Sequence, residues 1–153
     1  MDERNYDELK LERQLCFYMY ASSREVIKCY TPLLAELDLT YTQYMTMIVL
    51  WENGEMNVKE IGEALYLDSG TLTPLLKKLE AKGLVTRRRS EGDERNLLVS
   101  ATEAGEALKE RAVEIPGKMR SRIVMDPEDR AAARRLAGKV LDAVRDSKPA
   151  KED

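Results

Sequence analysis

The stretch from Asp68 to Arg95, DSGTLTPLLKKLEAKGLVTRRRSEGDER, constrains this chain more than any other. Leu72, Leu75, Leu76 and Leu79 recur at intervals of three and four, which puts them on one face of a helix. The opposite face carries Ser69, Thr71, Thr73, Lys77 and Lys78. In isolation such a helix reads as a solvated surface helix, and the residues after it change that reading. Gly83 follows the last periodic residue, where a glycine in the left-handed conformation closes a final turn. Residues 84–88 and 97–100 then read as two short strands joined by a polar loop from Arg89 to Asn96, a β-hairpin with a long tip. A hairpin directly after such a helix is the wing of a winged helix-turn-helix. The short hydroxyls would reach base edges in a major groove while the ammonium groups of Lys77 and Lys78, and the Arg87 guanidinium on the first strand, neutralise phosphates.

Charge supports a polyanionic partner. From Ser69 to Arg95 there are seven basic residues (Lys77, Lys78, Lys82, Arg87, Arg88, Arg89, Arg95) and four acidic ones (Glu80, Glu91, Asp93, Glu94), a net of +3 within a chain of net charge −3. Upstream, Thr40 and Gln43 have capping-box spacing and open a helix with Tyr44, Met47, Ile48 and Trp51 as its buried face, closed by Asn53-Gly54. Asn57 to Glu60 begins a short helix through Ile61 and Leu65, and Tyr66-Leu67-Asp68 makes the turn into the recognition helix. Pro74 is nearly free there if that helix starts at Gly70 or Thr71, whereas an earlier start loses a backbone bond.

The flanks read as helices. Leu15, Met19, Ser22, Val26, Tyr30, Leu33 and Leu37 predict a helix from about Tyr6 to Tyr30, with Pro32 kinking or interrupting it. Thr102 caps a helix through Ala107, Leu108, Ala112 and Ile115 that breaks at Pro116-Gly117, and Asp126-Pro127-Glu128 starts another with the stripe Ala133, Leu136, Val140, Leu141, Val144. These flanks could pack on their own domain. The winged core is complete by Ser100, however, and cannot cover both, so a dimer seam is preferred. The expected fold is mostly α with a small β-hairpin: an N-terminal dimerisation helix carrying the sensor cysteine at 1–37, a winged helix-turn-helix at 38–101, C-terminal dimerisation helices at 102–146 and a disordered tail at 147–153.

Composition removes several chemistries. Histidine is absent, which excludes a Ser-His-Asp triad, a Cys-His pair and a His-based metal site. Cys16 and Cys29 are the only cysteines, too few for structural zinc, so no metal, cofactor or catalytic residue is expected. The polar opening MDERNYDELKLER is no secretory signal and no apolar run approaches membrane-spanning length, so the expectation is a cytoplasmic protein with free thiols.

The block LYLDSGTLTPLLKKLEAKGLVTRRRSEGDER followed by LLVSATEAG resembles the MarR family of dimeric winged-helix repressors, and Asp93-Glu94-Arg95 matches that family's wing signature. The resemblance implies that Arg95 enters a minor groove and that Asp93 orients it. With the upstream run QLCFYMYASSREVIKCYTPLL, it narrows to the organic-hydroperoxide-sensing branch called OhrR and reaches to about Pro116. A cysteine on an apolar helix otherwise reads as inert packing. The resemblance instead implies that Cys16 is the peroxide-reactive thiol and that Tyr20 and Tyr30 hydrogen-bond to it. The branch with two working cysteines carries its resolving cysteine toward the carboxyl end. No cysteine follows Cys29 here, so the chain resembles the one-cysteine class with an extra thiol.

Helix geometry adds a deduction. Tyr30 is fourteen residues beyond Cys16, about 21 Å on one continuous helix, so a shared pocket requires the hydroxyl of the other subunit. Tyr20, one turn away, could approach from either chain. Cys29 lies about 20 Å from Cys16 on the same helix, too far for a disulfide within a chain; it reads as packing unless it meets Cys16 of a partner. A thiolate attacks peroxide whereas a free cysteine with pKa ~8.5 is mostly protonated at neutral pH, so phenol donors that stabilise the anion belong in such a site.

The expected function is a DNA-binding repressor of organic peroxide resistance, a homodimer on a pseudo-palindromic double-stranded operator, released when an organic hydroperoxide oxidises Cys16. A low-molecular-weight thiol could then join the oxidised sulfur. The alternative is a MarR-type repressor released by a small aromatic ligand held between the terminal helices and the winged domain. An enzymatic reading, a thiol peroxidase, has less support, because no resolving thiol is evident.

Overall fold

Polar caps decide where most of the helices begin. The computed structural model describes residues 6–91 and 93–147, with side chains for all of these except residues 93–95. The expected disordered tail lies outside the described residues from 148 on. Contacts divide the chain into a unit ending at Met119 and a second beginning at Arg120.

The first unit opens with two 3-10 turns, Tyr6–Leu9 and Leu11–Arg13, before α1 (Leu15–Ala35). The expectation of one helix from Tyr6 is thereby corrected: Gln14 is extended (φ −88°, ψ 95°) and α1 starts afresh after it. Pro32 does not interrupt α1 either. It deletes the bond that position 32 would give to Lys28 on an exposed side of the helix, where water can serve the carbonyl instead. The buried residues of α1 are Leu33 and Leu34, at its C-terminal end.

The expected capping box forms at α2 (Tyr41–Asn53): the Gln43 amide donates to Thr40 Oγ1 at 3.3 Å and the Thr40 amide donates to Gln43 Oε1 at 3.1 Å. Tyr44, Met47 and Leu50 are buried, while Ile48 and Trp51, expected on that face, are half-buried. The Trp51 indole N–H donates to the Gly105 carbonyl at 3.0 Å. A second capping box, Asn57 with Glu60, opens α3 (Val58–Leu65). The turn through Tyr66, itself left-handed at φ 56°, leads to α4 (Ser69–Ala81). α4 starts a residue or two earlier than the sequence favours, so Pro74 does cost it a backbone bond, to the exposed Gly70.

At the end of α4, Gly83 (φ 72°) donates to Glu80 O at 2.8 Å and Leu84 donates to Leu79 O at 3.1 Å, a Schellman closure. The chain then forms β2 (Val85–Ser90) and β3 (Asp93–Ala101). The expected eight-residue tip is corrected: most of residues 89–96 lie within the strands, with a register irregularity between Arg89 and Ser90. A two-residue strand, β1 (Met56–Asn57), pairs with the far side of β3 and gives the antiparallel order β1-β3-β2.

Thr102 caps α5 (Glu103–Ala112), its hydroxyl accepting from Gly105 N at 3.0 Å and donating to Gly83 O at 2.6 Å. The break expected at Pro116-Gly117 falls earlier, at Val113-Glu114, so Pro116 occupies the first turn of α6 (Ile115–Arg122), where its missing N–H matters little. Leu34, Met47, Ile61, Leu72, Leu76 and Val99 form the centre of the core, each about 1% exposed or less. Burial of each such side chain contributes about 1.5–3 kcal/mol.

In the second unit, α7 (Pro127–Asp146) begins as read from the sequence, with Asp126 Oδ1 accepting from Asp129 N at 2.8 Å and Pro127 in the first turn. It buries none of its residues, and Leu136, Leu141 and Val144 are 56%, 44% and 51% exposed. Among the described residues no helix is long and apolar enough to cross a membrane.

Candidate functional site

The α4 surface is organised by Asp68. One carboxylate oxygen accepts from the Thr71 amide at 2.9 Å and the other accepts from the Thr71 hydroxyl at 2.9 Å. These bonds hold the Asp68 carboxyl below the ordinary aspartate range. Leu72, Leu75, Leu76 and Leu79 are buried, and Ser69, Thr71, Thr73, Lys77 and Lys78 are all exposed. The five α4 residues singled out from sequence therefore share the free face, although the Thr71 proton is already committed to Asp68.

The basic residues that follow divide into two groups. In a strand, side chains alternate between faces, so Arg87 shares a face with buried Val85 and stands opposite buried Val99 in the register. That face packs on α4, and there Arg87 Nε donates to Glu80 Oε2 at 2.9 Å, with a second bond from its terminal nitrogen to the same oxygen. The guanidinium holds the Glu80 carboxyl below its usual range. Arg88, on the other face, reaches Glu55 just before β1 and donates through Nε at 3.0 Å and Nη2 at 2.7 Å, a fork-to-carboxylate pair. Lys82 bonds the Asp38 carbonyl and lies 3.1 Å from its carboxylate, tying the end of α4 to the end of α1. Lys77, Lys78 and Arg89 are exposed, with no carboxylate partner among the described residues. Asp93 and Arg95 lie on β3, and their side chains fall outside the described residues.

Cys16 is the second residue of α1, not well inside a helix that begins near Tyr6 as the sequence suggests, and it is exposed. Its sulfur thus belongs to the end of the helix where free N–H groups and the macrodipole favour negative charge. Tyr20, one turn on, is 59% exposed. The Arg24 guanidinium lies 5.4 Å from the Tyr20 ring centroid and donates to the phenol oxygen at 3.4 Å.

Tyr30 sits near the other end of α1. Its ring centroid is 5.0 Å from that of Tyr41 and 6.2 Å from that of Tyr44, both on α2. Burial raises the pKa of all three phenols, and their neighbouring phenols push those of Tyr41 and Tyr44 further up, so they remain hydrogen-bond donors at neutral pH. The structure therefore places Cys16 and Tyr20 one turn apart near the start of α1, with the Tyr20 phenol on Arg24, and gathers Tyr30 with two tyrosines not singled out in the sequence. It does not bring the two groups together within one chain. Cys29 is partly buried beside Tyr30.

Comparison with known proteins places these features in context. Residues 28–112 match the model of the transcriptional regulator SarA/Rot family. The chain is 59% identical, over 75% of its length and 78% of the relative's, to the organic hydroperoxide resistance transcriptional regulator of Bacillus subtilis. It is 53% identical, over 71% of its length and 74% of the relative's, to the HTH-type transcriptional regulator SarZ of Staphylococcus aureus. Among solved structures, reduced AbfR bound to DNA superposes with a TM-score of 0.79 at 30% identity, covering 90% of this chain and 94% of that one. Overoxidised AbfR bound to DNA superposes at 0.74 with 31% identity, covering 90% and 96%. AbfR is a protein of Staphylococcus epidermidis.

Proposed function

Since the chain belongs to the MarR family of winged-helix transcriptional regulators, in its organic-hydroperoxide-sensing branch, we propose that it is a homodimeric repressor of organic peroxide resistance. It binds a pseudo-palindromic operator and releases it when Cys16 is oxidised. The observation that carries this reading is Cys16 itself: an exposed thiol at the positive end of α1, in a chain 59% identical over 75% of its length to a named organic hydroperoxide regulator.

On the operator, α4 of each subunit lies in a major groove, with Ser69, Thr71 and Thr73 toward base edges and Lys77 and Lys78 on phosphates. Each wing follows the flanking backbone and places Arg95, oriented by Asp93, in the minor groove. Acting on chromosomal DNA, the protein works in the cytoplasm.

The chemistry falls to the thiolate. The Cys16 sulfur attacks the terminal peroxide oxygen and the O–O bond breaks. The leaving alkoxide takes a proton to become the alcohol, and the sulfur becomes a sulfenic acid. A low-molecular-weight thiol can then replace the hydroxyl, giving a mixed disulfide and water. The first-turn amides of α1 and the phenols of Tyr20 and, from the other subunit, Tyr30 and Tyr41 stabilise the anion that attacks. Oxidation removes the anion and adds bulk among the phenols. A difference of a few kcal/mol between the DNA-competent and released geometries suffices to empty the operator.

The test is an electrophoretic shift on the DNA upstream of the protein's own reading frame, with and without cumene hydroperoxide. The wild type should bind and let go on oxidation, and Cys16→Ser should bind and stay bound. A Cys16→Ser protein that is still released by peroxide refutes the sensor assignment. Release of the reduced wild type by salicylate in the presence of a thiol reductant would transfer the switch to a small aromatic ligand.

A further inference from the structure

A basic wing is ordinarily taken to be a row of phosphate contacts, and two of its three consecutive arginines are not free for that purpose. Arg87 faces the body of the domain, its side chain 19% exposed and bonded twice to Glu80. Glu80 is the one acidic residue of α4, at the end of the helix that reads the groove. Left alone, its charge would oppose the DNA backbone; paired, it is neutralised by the strand behind it. Arg88 projects from the opposite face of β2, across the middle strand β3, and grips Glu55, just before β1, through both carboxylate oxygens. A guanidinium held by two parallel bonds has a fixed plane as well as a fixed position. One pair therefore ties the wing to the recognition helix and the other ties it to the sheet edge, from opposite faces of the same strand.

We propose that Glu80–Arg87 and Glu55–Arg88 form a two-sided brace that fixes the wing's angle to α4, so that Arg87 and Arg88 are positioning residues and Arg89 is the phosphate-binding arginine of the β2 run. The inference rests on the DNA-binding reading above and extends it to what sets specificity. A winged helix contacts its site at two places, the major-groove helix and the minor-groove wing tip, and the angle between them decides whether both can seat together. On non-specific DNA, held by loose phosphate contacts, that angle matters little. The brace therefore contributes to the specific complex and leaves the non-specific one largely alone, a pattern that neither a phosphate contact nor a purely structural residue would produce.

The experiment measures binding of the full-length reduced protein to a duplex of its own upstream DNA and to a scrambled duplex of equal length. Arg87→Gln should lose about tenfold on the upstream duplex, consistent with the loss of one charge-assisted pair, and change little on the scrambled one. Arg89→Gln should weaken both duplexes alike. Glu80→Gln, which breaks the same pair without removing a cation, should reproduce the Arg87→Gln loss; equal or tighter binding to the upstream duplex overturns the brace. The exchange Glu80→Arg with Arg87→Glu rebuilds the pair with its charges reversed and should recover most of the affinity that Arg87→Glu alone loses. A double variant as weak as Arg87→Glu, or an Arg87→Gln variant weakened equally on both duplexes, makes Arg87 a DNA contact and ends the proposal. A wild type that does not distinguish the two duplexes overturns the operator reading itself, and the brace with it.

Discussion

The division of the basic residues into paired and free sets has a measurable consequence in the salt dependence of DNA binding. Each phosphate neutralised by a lysine or arginine releases condensed counterions, and the slope of log K against log salt is about −0.9 per contact on duplex DNA. Lys77, Lys78 and Arg89 are exposed and lack a carboxylate partner among the described residues, whereas Arg87 and Arg88 are bonded to Glu80 and Glu55. A dimer seating the free set from both subunits should then show a slope of about −5, against about −9 if the paired arginines also reached phosphates. Between 50 and 200 mM salt the first case costs about a thousandfold in affinity and the second about a hundred-thousandfold. Fluorescence anisotropy of a labelled duplex across that range separates the two. Lys78→Gln should flatten the slope by about 1.8, one contact in each subunit, and Arg87→Gln should leave it unchanged. A wild-type slope near −9, or equal flattening by Arg87→Gln and Lys78→Gln, would refute the assignment.

Three further outcomes follow from local geometry. A Cβ at position 105 would lie 2.1 Å from the Leu84 carbonyl oxygen, a backbone atom that cannot rotate away; Gly105→Ala should cost 1–3 kcal/mol or more, roughly the range for overpacking, and an unchanged thermal midpoint would contradict the close approach. The Asp68 carboxyl is held low by its bonds to Thr71, so its contribution to stability is present above the ordinary aspartate value of 3.8 and lost as pH falls through the lower folded value. Asp68→Ala should accordingly be less stable than the wild type at neutral pH, and the gap should narrow in acid melts below that value; a gap that widens there would reverse the sign. On the proposed site, Tyr41→Phe takes away one donor to the Cys16 thiolate and should slow oxidation of Cys16 about tenfold or more without changing DNA affinity, as followed by thiol loss under limiting cumene hydroperoxide.

What was legible in the sequence was what neighbouring residues decide. The capping boxes of Thr40 with Gln43 and of Asn57 with Glu60, the Asp126-Pro127 start and the Gly83 closure all depend on residues within one turn of each other, and all appear as read. Distant partners account for what was missed. β1 is two residues long and exists because Met56 pairs with Val99, which no local pattern announces. Arg88 finds its carboxylate at Glu55, 33 residues earlier in the chain. Arg87 could have been placed more closely, because alternation from Val85 already sets it on the inner face. The phenol group around Tyr30 likewise requires α1 to pack on α2. Resemblance alone singled out Cys16 and Tyr20, and no local pattern announced the extended Gln14 that puts Cys16 at the start of α1.

The uneven burial of α1 has a mechanical side. Its anchor is Leu33 and Leu34, while Leu15, Tyr18 and Tyr20 at the opposite end stand 64%, 51% and 59% exposed. From Cys16 to that anchor is about 25 Å of stiff rod. A pivot of roughly five degrees at the anchored end therefore moves the sulfur by about 2 Å, and work done on the sulfur returns to the pivot as torque. The pivot is also where Lys82, at the end of α4, holds the Asp38 carbonyl. On the proposed function, a chemical change of a few atoms at Cys16 would act with long leverage on the joint that Lys82 links to α4.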